Sequence, residues 1–405
     1  MGVTVIGDPA NRDSGRRRNL SAVLGSVHRA GQISRSALAT STGLNRSTVG
    51  ALVADLMARG LVEEGEAVTT GSVGRPSWLV RPRRDGAVVL AADVRGAMIT
   101  FAVGGLGGHL RDRVQLDQAP DRRTPEATVE DLVALVEGAR GVPDQAQHVL
   151  GLGVAVPGIV RRQDGFVHLA ANLGWRDVPM GDMLRERLGN ALRVTMGNDA
   201  HLGAWAEHVR GAGVGVDNLV YVASAVGVGG GIIVDGRPLN GASGYAGEIG
   251  HIVVNPEGVE CRCGARGCLE TETGEWALLR AMGRSAVNER EAAEAVLREA
   301  AAGSPKALAA LEGIGTYLGI GLAALVNVLN PTRLVLGGLF AKAHPYLADA
   351  MRHQMEIHAQ RPNREAVMVV PATLEDSTLL GAVELALDPL LADPTIVPSG
   401  EPAEP

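Results

Sequence analysis

Cys261, Cys263 and Cys268 are the only cysteines in 405 residues, and they fall within eight positions of one another, with His251 ten residues upstream. Three thiolates and one imidazole complete a tetrahedral set for zinc, and a site with no open position is structural rather than catalytic. Gly264 and Gly267 lie between the cysteines, so the backbone can turn tightly enough for the sulfurs to converge. Two blander readings compete: three small core residues that are close by accident, or a disulfide with one thiol left over. Cys261 and Cys263 are too near for an easy disulfide, the count is odd, and no secretory pattern points to an oxidising compartment.

The cysteines belong to a longer pattern. Glu248, Gly250 and His251 are followed by Gly258-x-x-Cys261-x-Cys263-Gly264-x-x-Gly267-Cys268-x-Glu270. This pattern resembles the signature of the ROK family of repressors, open reading frames and kinases. The resemblance implies a two-lobed, actin-like ATPase fold of the sugar-kinase type, with a sugar held between the lobes. Matching positions then imply sugar contacts at Asn172, Asn198, Asp199, Glu248, His251 and Glu270. His251 would serve twice, one ring nitrogen on zinc and the other toward the sugar, which the two distinct nitrogens of imidazole allow. In the family's kinases the Asp of the Asn198-Asp199-Ala200 step is the base that takes the proton of the sugar hydroxyl. The residue-level alternative for Asp199 is plain: an Asp at a helix start can accept a backbone N–H as an N-cap.

Elements that could position these residues are legible in the hydrophobic pattern. Residues 87–93, 98–103 and 110–115 form three strand-like apolar runs with glycine turns between them, and 128–139 has helical spacing. Residues 218–234 repeat that opening around a glycine turn at 227–231. Residues 149–156 and 191–196 are further strands, the second leading into a helix over 201–210. Past the zinc loop, 276–325 is mostly helical, 334–338 is a strand, and 379–391 is a closing helix. From periodicity alone the class is α/β.

The first 85 residues carry twelve Arg and seven Asp or Glu, a net +5, which leaves −12 on the remainder of a chain whose total is −7. A basic head on an acidic body suits a nucleic-acid-binding module, although arginine is abundant throughout and charge alone is a weak signal. The pattern of the head is more informative. Leu20, Val23, Leu24 and Val27 give one helix ended by Gly31; Ile33 and Ser34 open a second, closed by Gly43; Asn45 caps a third with Val49, Leu52, Val53 and Leu56 inward. Two short helices joined by a glycine-containing turn form a helix-turn-helix, whose second helix enters the major groove by its N-terminus. Asn45, Arg46, Ser47 and Thr48 are the DNA-facing candidates. Residues 61–81 alternate around a turn at 71–74, making a wing with Arg75 at its tip, similar to the winged helix of ROK repressors.

The expected division is a disordered arm over 1–16, a winged helix-turn-helix over 17–82, a linker over 83–86, a two-lobed body over 87–391 with the zinc loop at 251–268, and a disordered tail over 392–405. No run reads as long and apolar enough to span a bilayer, so a cytoplasmic protein without a membrane partner is expected. Homodimers or homotetramers would match paired half-sites in double-stranded DNA.

Two turns separate kinase from regulator. The kinases carry Asp-x-Gly-Gly-Thr in the first lobe, and this chain has Asp93-Val94-Arg95-Gly96-Ala97. Their second-lobe turn begins Gly-Thr-Gly; here it is Ala225-Val226-Gly227, although the triplet Gly229-Gly230-Gly231 and the adenosine-side Gly337-Gly338 are present. The substitutions strike nucleotide phosphate contacts and spare the sugar side. The sequence therefore reads as a non-enzymatic, sugar-responsive transcriptional regulator, a repressor in the simplest case, with structural zinc and Asp199 as a vestigial base. An active ATP-dependent sugar kinase is the alternative.

Overall fold

The computed structural model describes residues 9–68, 77–84, 86–119, 123–140, 149–189, 192–225, 227–286 and 289–400. The head comprises α1 (Pro9–Ala30), β1 (Ile33–Ser34), α2 (Arg35–Thr42), α3 (Arg46–Ala58), β2 (Val62–Val68) and β3 (Ser77–Pro82). Gly31 and Gly43 end their helices in the left-handed conformation, as the sequence led us to expect. Asn45 caps α3 by accepting the Thr48 N–H at 2.8 Å, and Val49, Leu52, Val53 and Leu56 all face inward. Ile33 and Ser34 differ from expectation. They form a two-residue strand on β3, and Ser34 caps α2 instead of opening it, because its extended backbone lets the hydroxyl accept the Ala37 N–H.

The first lobe contains β4 (Val88–Arg95), β5 (Met98–Gly105), β6 (Leu110–Asp117), α4 (Pro125–Arg140) and β7 (Val149–Val156). A small sheet follows, of β8 (Ile159–Arg161), β9 (Phe166–Ala170) and β10 (Trp175–Val178). Then come α5 (Met180–Leu188), β11 (Arg193–Asn198) and α6 (Asp199–Arg210). The second lobe contains β12 (Leu219–Ser224), β13 (Val228–Val234), β14 (Arg237–Pro238), α7 (Leu269–Thr273), α8 (Glu275–Ala281), α9 (Glu289–Ala301) and α10 (Pro305–Leu329). It continues with β15 (Arg333–Gly338), α11 (Leu339–His358), α12 (Arg361–Ala366) and β16 (Met368–Pro371), after which α13 (Ser377–Ala392) returns to the first lobe.

The two main sheets have one topology. Their orders are β11-β7-β4-β5-β6 and β14-β13-β12-β15-β16, three antiparallel strands followed by two parallel ones in each. This duplicated α/β layout is the two-lobed actin-like architecture. The triplet Gly229-Gly230-Gly231 lies inside β13 and is not a turn. Cβ atoms there would come within 2.7 Å of Ala200 Cβ, 2.1 Å of Ile249 Cδ1 and 2.4 Å of Ala204 Cβ, so the glycines let α6 and the 249 segment lie directly on the two faces of the strand.

Four other expectations need correction. Helix α1 starts at Pro9, inside the segment expected to be a disordered arm. The tail is ordered to residue 400: Pro394–Ile396 makes a 3-10 turn, Val397 is buried, Arg59 donates to the Val397 carbonyl and the Gly400 N–H to that of Ala58. The linker is not free, since the Arg83 N–H donates to Leu61 O and Gly86 lies against Gly60. Helix α10 is long and apolar enough by composition to cross a bilayer, but its apolar residues form the core of the second lobe with α11. Proline, acid and charge in the tail and linker concealed a docking role that apolar Val397 and backbone polar groups perform.

The head also shares its core with the body. One cluster of buried side chains runs from Leu20, Leu24 and Val27 of α1 through Ala87 and Leu106 to Leu379, Val383, Leu387 and Leu390 of α13. Burying a valine side chain contributes about 1.5–3 kcal/mol and a net hydrogen bond about 1 kcal/mol. Truncation after Ala392 should therefore lower stability by about 2–4 kcal/mol. Denaturant unfolding would measure this, and an unchanged midpoint would count against a stabilising tail.

Candidate functional site

The start of α6 has as neighbours the end of β4, the start of α13 and the segment 246–251. Asn198 ends β11 and caps α6, its oxygen accepting the His201 N–H at 2.9 Å while its nitrogen donates to Gly158 O at 2.9 Å. The cap is thus Asn198 and not Asp199. Asp199 is left as the first residue of the helix, with Oδ1 accepting the Ala200 N–H at 2.9 Å. Gly247, beside Glu248, lies against the ring of His201, two residues along the same helix.

Arg95 is the residue that sequence reasoning recorded only as a lost glycine. Its Nε and Nη2 donate to Asp93 Oδ2 at 2.7 and 2.6 Å, so the guanidinium is folded onto the buried carboxylate at the end of β4. The Asp93 carboxylate raises the Arg95 pKa, with smaller contributions from Asp199 and Asp376. Burial, and then the Asp93 charge, push the Asp199 carboxyl up to about 6. Arg95 thus lies in the field of three carboxylates, of which Asp93 pairs with it directly and Asp376 pairs with Arg113 at 3.0 Å. The retained Gly337-Gly338 has a packing reason of its own: Cβ atoms there would come within 2.2 Å of Tyr221 Oη and 1.9 Å of Ser224 O. Its presence carries no information about adenosine.

The zinc-loop residues converge. One ligand atom from each of His251, Cys261, Cys263 and Cys268 lies within 4.8 Å of the others, with His251 Nδ1 to Cys261 Sγ and Cys263 Sγ to Cys268 Sγ both 3.7 Å. A tetrahedral site with bonds of about 2.0–2.3 Å has edges of about 3.5–3.8 Å, so the donor set fits zinc. Gly264 and Gly267 both have positive φ, and a Cβ on Gly267 would lie 1.5 Å from Asn255 O. With Nδ1 on the sulfur side, His251 Nε2 faces Glu248 Oε2 at 3.8 Å.

The remaining expected positions have local partners. Glu270 Oε2 accepts the Val228 N–H at 3.3 Å and holds the turn between β12 and β13. Asn172, exposed after β9, accepts at 3.2 Å from Arg262, which the zinc loop presents from the opposite lobe. Burial raises the Glu248 carboxyl, and Glu270 adds to the rise against the opposing effect of His251. An open groove of about 770 Å³ lined by Arg162, Arg185, Arg193 and the 240–244 loop touches none of the six expected sugar residues. In the head, Asn45, Arg46 and Ser47 are exposed and Thr48 is half-buried at the N-terminus of α3. Arg75 and Val226 lie outside the described residues.

The Asp199 shift has a stability consequence. A folded-state pKa near 6 lies above the ordinary 3.8, so the folded protein holds this proton more tightly, and stability falls as pH rises from about 4 through about 6. Asp199→Asn cannot titrate. The stability of wild type relative to Asp199→Asn should fall over that window and then level off; urea unfolding of both proteins from pH 4 to 8 would reveal it, and a flat difference would contradict it.

Residues 89–389 match the ROK family. The xylose repressor of Bacillus subtilis (strain 168) is 29% identical over 389 residues, covering 95% of this chain and 98% of that protein. A glucokinase of Halalkalibacterium halodurans is 33% identical over 284 residues, covering 67% of this chain and 86% of that enzyme. Among solved structures, a ROK family transcriptional regulator described as a homolog of the E. coli MLC protein superposes over 93% of this chain and 97% of its own with a TM-score of 0.76 at 23% identity. The repressor and regulator matches extend through the head, whereas the glucokinase match has the extent of the body alone. With its two duplicated lobes, its convergent His-Cys cluster and a family match over three quarters of its length, this chain belongs to the ROK family.

Proposed function

We propose that this protein is a sugar-responsive transcriptional regulator, in the simplest case a repressor, that reads operator DNA with α3 and binds a sugar between the lobes. The observation that carries the reading is the Arg95–Asp93 pair. Phosphoryl transfer needs metal and backbone donors arranged around the nucleotide phosphates. A guanidinium folded onto the first-lobe carboxylate, at a position where the kinase pattern has glycine, would neutralise the charge a metal needs to meet, which supports this reading. The near full-length similarity to a xylose repressor supports the same reading and makes D-xylose and D-glucose the first sugars to try.

In this reading Asn172, Asn198, Asp199, Glu248, His251 and Glu270 line the sugar site, and the sugar bridges the lobes and favours a closed body. Asn198 and Glu270 act mainly by holding the frame, since their side chains are already bonded to backbone groups. Zinc, held by His251, Cys261, Cys263 and Cys268, supplies no chemistry beyond fixing the loop and the ring of His251. Asn45, Arg46, Ser47, Thr48 and Arg75 form the DNA face, and paired heads in a homodimer or homotetramer meet half-sites spaced by helical turns.

A thermal-shift panel of sugars on the full-length protein tests the effector. D-xylose or D-glucose should raise the melting temperature, and Asp199→Asn should weaken sugar binding by about tenfold to a hundredfold, because a mispaired buried hydroxyl costs about 1–3 kcal/mol. The kinase alternative draws support from the 33% identity to a glucokinase and from a carboxyl at position 199 raised to about 6, within the range of a general base. Coupled ATP turnover decides between them. Wild type should consume no ATP in response to sugar, and turnover abolished by Asp199→Asn would make this an enzyme.

Freshly purified protein should contain about one zinc per chain, and Cys263→Ser should lose it, since a closed site opened at one ligand holds metal poorly. Elemental analysis finding no zinc in wild type would remove this assignment. Arg46→Ala and Thr48→Ala should each weaken specific operator binding by about 1–3 kcal/mol and leave sugar affinity unchanged. Unaltered DNA affinity in both would place the reading surface elsewhere.

A further inference from the structure

Three charged or polar side chains with no part in the sugar or DNA sites are buried together where the head meets the body. Glu384 lies in α13 and is 2% exposed, His28 near the end of α1 is 1% exposed, and Arg210 is the last residue of α6. Glu384 Oε2 is 2.8 Å from His28 Nε2, and Oε1 accepts from Arg210 Nε at 2.6 Å. Arg210 Nη1 also donates to the His28 carbonyl at 3.2 Å, which satisfies one of the last carbonyls of α1. The Gly107 N–H donates to His28 Nδ1 at 3.0 Å, so the loop after β5 joins the same cluster. Burial acts to raise the Glu384 carboxyl, and His28 and Arg210 outweigh it and hold it below its ordinary value.

Such a cluster is a poor source of stability, because apolar residues of the same volume would hold α1 on α13 as well. Its geometry, however, is specific. Removing any member leaves a buried charge or donor without its partner, so the cluster tolerates one arrangement of three helices. Those helices reach the cleft. Asp199 is the first residue of α6 and Arg210 its last, about 16 Å apart along a rigid helix. Thr378, at the start of α13, donates to the Asp199 carbonyl at 3.4 Å.

Helix α6 is also gripped by both lobes. Ala200 and Ala204 sit on Gly229 and Gly231 of β13, and on its other side the Leu202 carbonyl is so close to Gly381 of α13 that a Cβ there would be 2.1 Å away. Movement of the second lobe is therefore felt by α6 along its length and delivered at Arg210.

We propose that the Arg210–Glu384–His28 cluster is the joint through which the state of the sugar cleft is transmitted to the DNA-binding head. This rests on the sugar-responsive reading above. The three are positioning residues: they set the angle of α1, and through it that of the helix-turn-helix, without touching sugar or DNA.

The experiment uses full-length Glu384→Gln, which keeps shape and removes charge, and Arg210→Lys, which keeps charge and shortens the reach to His28 O. Circular dichroism establishes that each is folded. Two readouts are taken. In protein without sugar, hydrogen exchange at Gly107 and over residues 24–30 should quicken by about tenfold, a local opening at the joint. Operator affinity is then measured on the duplex that wild type selects from random DNA, with and without saturating D-xylose or D-glucose. Sugar affinity itself should stay within about twofold, while the ratio of operator affinities with and without sugar should shrink by about fivefold or more toward unity. A folded variant that keeps the full wild-type ratio overturns the proposal, as does unchanged exchange at Gly107 and in α1. If neither sugar binds wild type, the functional reading falls on that result alone, and the exchange measurement still decides whether the joint holds the head.

Discussion

The organisation of this molecule depends on how closely α6 approaches its neighbours. Glycines at 229, 231 and 381 remove the Cβ atoms that would hold a helix away from β13 on one side and from α13 on the other. Their absence lets a twelve-residue helix lie as a wedge between two five-stranded sheets of the same topology. A close-packed interior of this kind has low compressibility and resists continuous deformation. The conformational cost of three glycines is the condition for that contact.

Charge at the two ends of α6 is arranged for opposite purposes. At the N-terminus, Asp199 lies near Asp93, which Arg95 pairs, and the Asp199 carboxyl is raised to about 6 because burial and like charge oppose ionisation. Arg95 supplies a covalently held positive charge to the Asp93 carboxylate. At the C-terminus, Arg210 completes a buried cluster in which two positive or donor groups outweigh the desolvation of one carboxylate. The first arrangement is partly open and suits a polar ligand. The second is closed and suits a fixed geometry.

The loop of His251 and the three cysteines joins the two lobes near these features. Its four donors lie within 4.8 Å of one another, two of the pairs at 3.7 Å, and the same loop carries Arg262 across to Asn172 in the opposite lobe. His251 turns Nδ1 to the sulfurs and Nε2 to Glu248, so a structural metal would fix the orientation of a residue in the cleft.

Much of this was legible in the sequence, for reasons that are local. The helix caps at Asn45 and Gly43, the inward face of α3, the strands of the first sheet, β12, β13 and β15 of the second, and the His251–Cys268 spacing all depend on residues a few positions apart, where chain geometry alone constrains the outcome; the short edge strands β14 and β16 were not read. What tertiary structure decided was every relationship between distant segments. Gly229 to Gly231 read as a turn because glycine is permissive in any context, and only the arrival of α6 and Ile249 on the two faces of β13 makes it a strand. The small sheet of β8 to β10 is built of strands too short for periodicity to register. The tail read as disordered from its composition, yet Val397 is buried and held by Arg59 from 338 residues away in sequence. His28, Arg210 and Glu384 each look like an ordinary solvated residue on an amphipathic helix. Their meeting depends on three helices brought together by burial of a shared apolar core, and hydrophobic burial is non-directional, so no local pattern announces which polar groups it will enclose.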